Sequence, residues 1–278
     1  MTTIKDIIKS YTNYLLVKKP THHQQFCNRL KNNNESTTAE AILFSTLRSE
    51  CDNIDVSEDI STGGVDFLCK KNDLEFVVEV TCLESSAVEK QSGITNKIEN
   101  KAKTVWYSMI TNIIRTKVSG KTRQLSGYPM PRVLAITTEH IGGNAVFGTR
   151  AAEFVLTGET KISIPIGETT RKSNLITDLS DSVFFRFKNN SIDSCRNSIS
   201  AIILVQILND KCNLLGILHP DPVYQFHISL LPNIPFLRLK SWPIKNNQLE
   251  TEWVIHKPSS AEFYYQPISF TNEELINK

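Results

Sequence analysis

Two carboxylates, Asp66 and Glu79, interrupt the otherwise strand-like stretch GGVDFLCKKNDLEFVVEVT at residues 63–81. Burying a carboxylate is costly unless it is paired, hydrogen-bonded or bound to a cation, so two of them among Val and Phe call for a reason. With Lys70–Asp73 as a turn, the stretch reads as a hairpin in which Val65 lies opposite Val78 and Phe67 opposite Phe76. Side chains alternate with a period of two. One face is then wholly apolar, and the other carries Asp66, Val77, Glu79 and Thr81. In that register Glu79 falls opposite Gly64 and diagonal to Asp66, with backbones about 7–8 Å apart. Two such acids suit Mg²⁺, or Mn²⁺, because a hard cation takes oxygen ligands and Mg²⁺ sites retain several waters beside one or two carboxylates. Gly63 and Gly64 leave room for a substrate to approach.

A third acid, Glu40, precedes the hairpin on a predicted helix over 38–50. Thr37-x-x-Glu40 matches a capping box, so Glu40 has a local structural role as well as a functional one open to it. Downstream, ITNKIENKAKTVW predicts the start of a long helix over 94–116, with Lys97 and Lys101 on one face at i, i+4 and Lys103 on another. Residues 97–123 hold seven basic residues against one acid, Glu99. Positive charge concentrated just after an acid pair suits a phosphodiester substrate. Lys103, Arg115, Lys117, Lys121 and Arg123 would track the phosphate backbone, giving salt-sensitive affinity without sequence information.

This order of a helix with Glu40, then Val65-Asp66, a hairpin turn, Glu79-Val80-Thr81 and a basic helix resembles the PD-(D/E)xK nuclease superfamily. The resemblance implies a restriction-endonuclease-like α/β/α core and a metal-dependent nuclease that hydrolyses nucleic acid, DNA ahead of RNA. It assigns Asp66 and Glu79 to Mg²⁺ or Mn²⁺, and Glu40 to the acid often found on the preceding helix. Two positions depart from the pattern: Val65 stands where the family has Pro, and Thr81 where it has the lysine that positions the attacking water. Some branches supply that lysine from the following helix, which here nominates Lys101 ahead of Lys97. The missing lysine also keeps open an inactive module of the same fold that binds nucleic acid or a protein. Many family members are dimers, so a homodimer is one assembly the resemblance allows.

The elements that must position these residues follow from periodicity. Ile4, Ile7, Ile8, Tyr11 and Leu15 predict a helix over 3–17, and a second short helix covers 22–31. Strands are predicted at 133–138, 200–208 and 224–232, and a second hairpin at 152–166 turning at Gly158–Glu159. Helix, hairpin, helix and later strands predict an α/β fold with a mixed central sheet flanked by helices. The expected division is a helical extension over 1–36, a core over 37–235 and a C-terminal extension packed on it over 236–278.

The chain has 278 residues, long enough for one large domain that buries roughly 75% of its unfolded surface. A net charge of +2 names no partner. The six cysteines show no metal-ligand spacing, and with no leader segment they predict a reduced, cytoplasmic setting. No apolar run reaches the length of a membrane span. SGKT at 119–122 lacks the first glycine of a phosphate-binding loop, since Arg115 stands there, so nucleotide hydrolysis is set aside. His219 and Asp221 flank Pro220 in a turn signature.

Overall fold

Thr3 starts the first helix: its hydroxyl accepts from the Asp6 N–H, and the Asp6 carboxylate accepts from the Thr3 N–H. The structure, a computed structural model, describes residues 3–32, 34–58, 63–98, 107–158, 160–163, 174–177, 179, 182–188, 191–208, 211–243 and 250–256. In chain order the elements are α1 (Ile4–Lys18), α2 (Pro20–Asn32), α3 (Asn34–Glu50), β1 (Asn53–Val56), β2 (Phe67–Lys71), β3 (Leu74–Cys82), α4 (Ser85–Ser92) and α5 (Tyr107–Leu125). Then come β4 (Arg132–Thr138), α6 (Gly143–Phe147), α7 (Thr149–Thr157), β5 (Thr160–Ser163), β6 (Asn174–Thr177), β7 (Phe185–Lys188) and β8 (Ser191–Ser194). The described chain ends with β9 (Ala201–Leu208), β10 (Lys211–Leu218), β11 (Phe236–Leu239) and β12 (Thr251–Val254).

Among the described residues the main sheet has eight strands in the order β1-β2-β3-β4-β9-β10-β11-β12. It is mixed: β3–β4, β4–β9 and β10–β11 are parallel and the other pairs antiparallel. Its central strands β4 and β9 are buried nearly throughout, as strands covered on both faces must be. One face packs Ile42, Leu43, Phe44 and Leu47 of α3 with Tyr11, Leu15 and Phe26 against Phe67, Phe76 and Val78. The other packs Ile110, Ile114 and Val118 of α5 with Ala152, Val155 and Leu156 of α7 against Val77, Leu134 and Ile202. This is an α/β fold of three layers. Residues 1–36 contribute α1 and α2 to the first layer, and residues 236–278 contribute β11 and β12 to the sheet.

Several local expectations change. The hairpin closes on two residues, Asn72 (φ 49°) and Asp73 (φ 62°), so Phe67 rather than Val65 lies opposite Val78. Two consecutive positive φ values make the tight turn whose twist matches the strands, and Asn and Asp tolerate it. Of the expected helix over 94–116, residues 94–98 are not helical and Lys97 lies in a bend, after Gly93 at φ 73° ends α4; residues 107–116 belong to α5, and 99–106 lie outside the described residues. Lys101 and Lys103 lie outside the described residues. The expected hairpin at 152–166 begins as the last turns of α7, because Ala151, Ala152, Val155 and Leu156 recur at helical spacing and are buried. Residues 224–232 hold one 3₁₀ turn, Ile228–Leu230, instead of a strand. Glu40 sits inside α3, which begins at Asn34, so the expected capping box at Thr37 does not start that helix.

Two glycines give opposite predictions. Gly216 of β10 pairs with Phe236 of β11, and a Cβ there would strike the buried Phe236 ring. Gly216→Ala is expected to cost about 3 kcal/mol and lower Tm by roughly 6–12 °C in thermal unfolding. Gly120 lies within α5 with open space around its Cβ position. Gly120→Ala is expected to stabilise by about 0.5–1 kcal/mol, because alanine loses less backbone freedom in a helix.

Candidate active site

Glu79 lies on β3 between Val78, which packs under α3, and Val80. Alternation turns it toward the α5 side of the sheet, where it is 3% exposed. Lys121 Nζ of α5 stands 2.6 Å from Glu79 Oε1, and Gln124 Nε2, one turn on, donates to Oε2 at 2.9 Å. The same Gln124 amide donates to the Gly64 carbonyl, and Lys121 Nζ donates to Gln124 Oε1 at 3.1 Å. Gly63 (φ 76°) and Gly64 (φ 148°) take backbone conformations that L side chains rarely adopt, and these deliver the Gly64 carbonyl to that amide. Tyr128 Oη accepts from the Val65 N–H at 3.1 Å and holds the next residue of the same loop.

The end of α5 is itself anchored. Arg132, the first residue of β4, is buried and donates to the carbonyls of Leu125, Ser126 and Met130. A cation on the last carbonyls of a helix satisfies both their lone pairs and the helix dipole. Lys121 and Gln124 are therefore presented to Glu79 from a helix fixed at its nearer end.

Asp66 occupies the bend just before β2. Continuing the hairpin register places it beside Glu79, and its Oδ2 accepts from the Val80 N–H at 2.7 Å. Burial, then the charges of Glu79 and Glu40, push the Asp66 carboxyl well above its ordinary range, and the Val80 N–H only partly offsets this. Glu79 is also raised, by burial first, against the lowering effect of Lys121.

Glu40 approaches from α3 on the other side. Its Oε1 accepts from Tyr11 Oη of α1 at 2.8 Å and its Oε2 pairs with Arg29 Nη2 of α2 at 2.5 Å. Burial still raises its pKa. Tyr11→Phe would leave a buried carboxylate oxygen without its donor. The expected cost is about 2 kcal/mol, read as a Tm lower by roughly 4–8 °C and smaller in a Glu40→Gln background, where the acceptor is neutral.

Of the expected site residues, the fold brings together Glu40, Asp66 and Glu79, and adds Lys121. Lys97 is exposed in its bend and carries no ion pair among the described residues, so the amine at Glu79 comes from Lys121, expected only as a backbone contact. Arg115 lines a separate cleft on α5, Lys117 is half-buried and Arg123 is exposed. Thr81 is buried on β3. Sequence reasoning passed over Tyr11, Arg29, Gln124, Tyr128 and Glu58, whose charge raises Glu40, Asp66 and Glu79 alike. A usable signal was present for one of them: Lys117, Lys121 and Gln124 recur at i, i+4 and i+7 on one helix.

Two of these carboxylates are in contact with a cation, Glu40 with Arg29 and Glu79 with Lys121, and the charge of Glu58 acts on Glu40, Asp66 and Glu79. Among the described residues no three His, Cys, Asp or Glu side chains come together as a ready-made metal cage. The donor set still fits a largely hydrated divalent cation, which needs one or two carboxylates. The carboxyl groups of Glu40, Asp66 and Glu79 are raised by burial first, and for Asp66 by the charges of Glu79 and Glu40 next. Among the described residues no helix is long and apolar enough to cross a membrane. Comparison of the chain with family models, with curated proteins and with solved structures finds no match.

Proposed function

We propose that the chain is a divalent-metal-dependent nuclease of the PD-(D/E)xK type, hydrolysing phosphodiester bonds in nucleic acid, with DNA the first substrate to test. The observation that carries this reading is the ammonium of Lys121 at 2.6 Å from Glu79, on the strand beside Asp66. It supplies from α5 the basic group that Thr81 does not supply from β3.

In this reading Asp66 and Glu79 hold Mg²⁺ or Mn²⁺, which when bound supplies Lewis acidity and a more acidic water. Lys121 stabilises negative charge that develops on the phosphate and orients the attacking water. Gln124 fixes the second Glu79 oxygen and ties it to the Gly64 loop. Glu40, braced by Tyr11 and Arg29, adds negative potential on the opposite side of Asp66. Both carboxyl groups are raised, by burial first, and a metal takes their ionised forms, so metal binding strengthens as pH rises and these groups ionise.

The alternative is an inactive module of the same fold that binds nucleic acid or protein. It is favoured by one observation: both Glu79 oxygens already have protein partners, Lys121 and Gln124. Incubation of the full chain with supercoiled plasmid, single-stranded DNA and RNA, with Mg²⁺, Mn²⁺ or EDTA, separates the two. Nicking that requires the metal and is lost in Glu79→Gln is the expected result. Intact substrates under every metal condition would give the case to the binding module.

A further inference from the structure

A second feature of α5 lies off the Lys121–Gln124 stripe. Arg115, Ser119 and Thr122 recur at i, i+4 and i+7 and form one wall of a cleft of about 470 Å³. Arg186 of β7 and Arg196, just after β8, line it as well. Its described lining thus includes three arginines and two hydroxyls and no carboxylate. That composition is suited to an oxyanion, because guanidinium groups offer forked donors and hydroxyls add short ones.

The cleft is built, not incidental. Arg196 holds φ at 61°, an uncommon conformation for a residue with a side chain. Its guanidinium donates through Nε and Nη2 to Ser119 Oγ at 3.1 and 2.7 Å, and through Nη1 to the Val183 carbonyl. These partners are neutral, so they orient the charge without cancelling it. Arg186 lies across from Asp193 in the β7–β8 hairpin and is itself exposed. The buried Phe185 ring backs the cleft.

We infer that this cleft binds a backbone phosphate of a nucleic-acid strand, from residues of the same helix that carries Lys121 to Glu79. The oxyanion site stands on its own lining; its assignment to a nucleic-acid strand rests on the proposed nuclease reading. A strand laid across α5 would meet Lys121 on one flank and the arginines on the other. Such a contact positions the strand and carries no sequence information.

The test is fluorescence anisotropy of a labelled 20-nucleotide single strand and its duplex, in EDTA, with the full-length chain over a range of salt. Arg186→Ala and Arg115→Ala are each expected to weaken binding about five- to tenfold and to reduce the log–log salt slope by about one. Lys90→Ala, in the exposed last turn of α4, serves as the control and leaves both unchanged. Arg186 is exposed, so its loss leaves the fold intact, and circular dichroism checks this for each variant. Inorganic phosphate and adenosine monophosphate, titrated as competitors, separate a strand phosphate from a free one. Oligonucleotide binding and slope unchanged in both variants would overturn the inference, as would loss confined to the free phosphate compounds. Wild-type protein that binds no oligonucleotide overturns it too. Failure of the nuclease reading looks different: no cleavage with Mn²⁺, while the arginine-dependent binding in EDTA persists.

Discussion

Asp66→Asn is expected to reduce metal-dependent cleavage by about a thousandfold or more and, in EDTA, to make the protein more stable. The two effects have one cause. The Asp66 carboxyl is raised well above its ordinary range by burial and by Glu79 and Glu40. A group whose folded pKa lies above its unfolded value contributes stability below the unfolded value, about 3.9, and loses it as pH rises through the folded one. Once ionised, this carboxylate is therefore a cost to the metal-free fold. Asparagine removes the charge and keeps an oxygen for the Val80 N–H. The expected result is a higher Tm for the variant in EDTA, with a larger difference at pH 8 than at pH 5.5. Added Mn²⁺ should raise the Tm of the wild type and leave the variant unmoved. A variant less stable than wild type in EDTA, or one that still cleaves, would sink this account of Asp66.

Lys121→Met is expected to lower cleavage about 100- to 1,000-fold and, unlike Asp66→Asn, to destabilise the fold. The Lys121 side chain is 30% exposed while the side chain of Glu79 is 4% exposed, so removing the lysine leaves a buried carboxylate without its cation. Breaking a fully buried pair costs about 3–5 kcal/mol, and water at the lysine end reduces the expectation to about 1–3 kcal/mol. Lys121→Arg should recover most of the stability and only part of the rate, since a planar fork does not reproduce a compact ammonium. In the Glu79→Gln background Lys121→Met should cost far less stability, the signature of direct coupling. Lys97→Ala is the comparison: an exposed lysine in a bend, expected to leave the rate within about twofold. Equal damage from the Lys97 and Lys121 variants would return Lys97, the second of the two lysines expected from the sequence, to the site.

The hairpin illustrates how far local pattern reaches. Alternation in FLCKK and LEFVVEVT was enough to place Glu79 on one face and to pair the two strands. The offset depended on whether the turn used two residues or four. That was decided by Asn72 and Asp73 accepting positive φ, with Asp52 of the neighbouring segment accepting from the Asn72 N–H. The second hairpin failed for a related reason: EFVLT is apolar enough for a strand, but its residues complete a helical face begun at Ala151. Short apolar runs carry no period of their own, so their partners decide them.

Chain order and periodicity, with no tertiary information, determined the α/β class, the buried strands expected at 133–138 and 200–208 and found at Arg132–Thr138 and Ala201–Leu208, and the placing of Glu79 on the second strand of the first hairpin. Those properties are local, set by residues a few positions apart. Which cation meets Glu79 is not local: Lys97 is 18 residues away in the chain and Lys121 is 42. Only the tertiary structure chose between them. Gly93 ends α4, the apolar stripe Ile110–Ile114–Val118 seats α5 on the sheet, and Arg132 pins the helix end. With that face buried, the helix period turns Lys121 and Gln124 toward Glu79 and leaves Arg115, Ser119 and Thr122 on another flank.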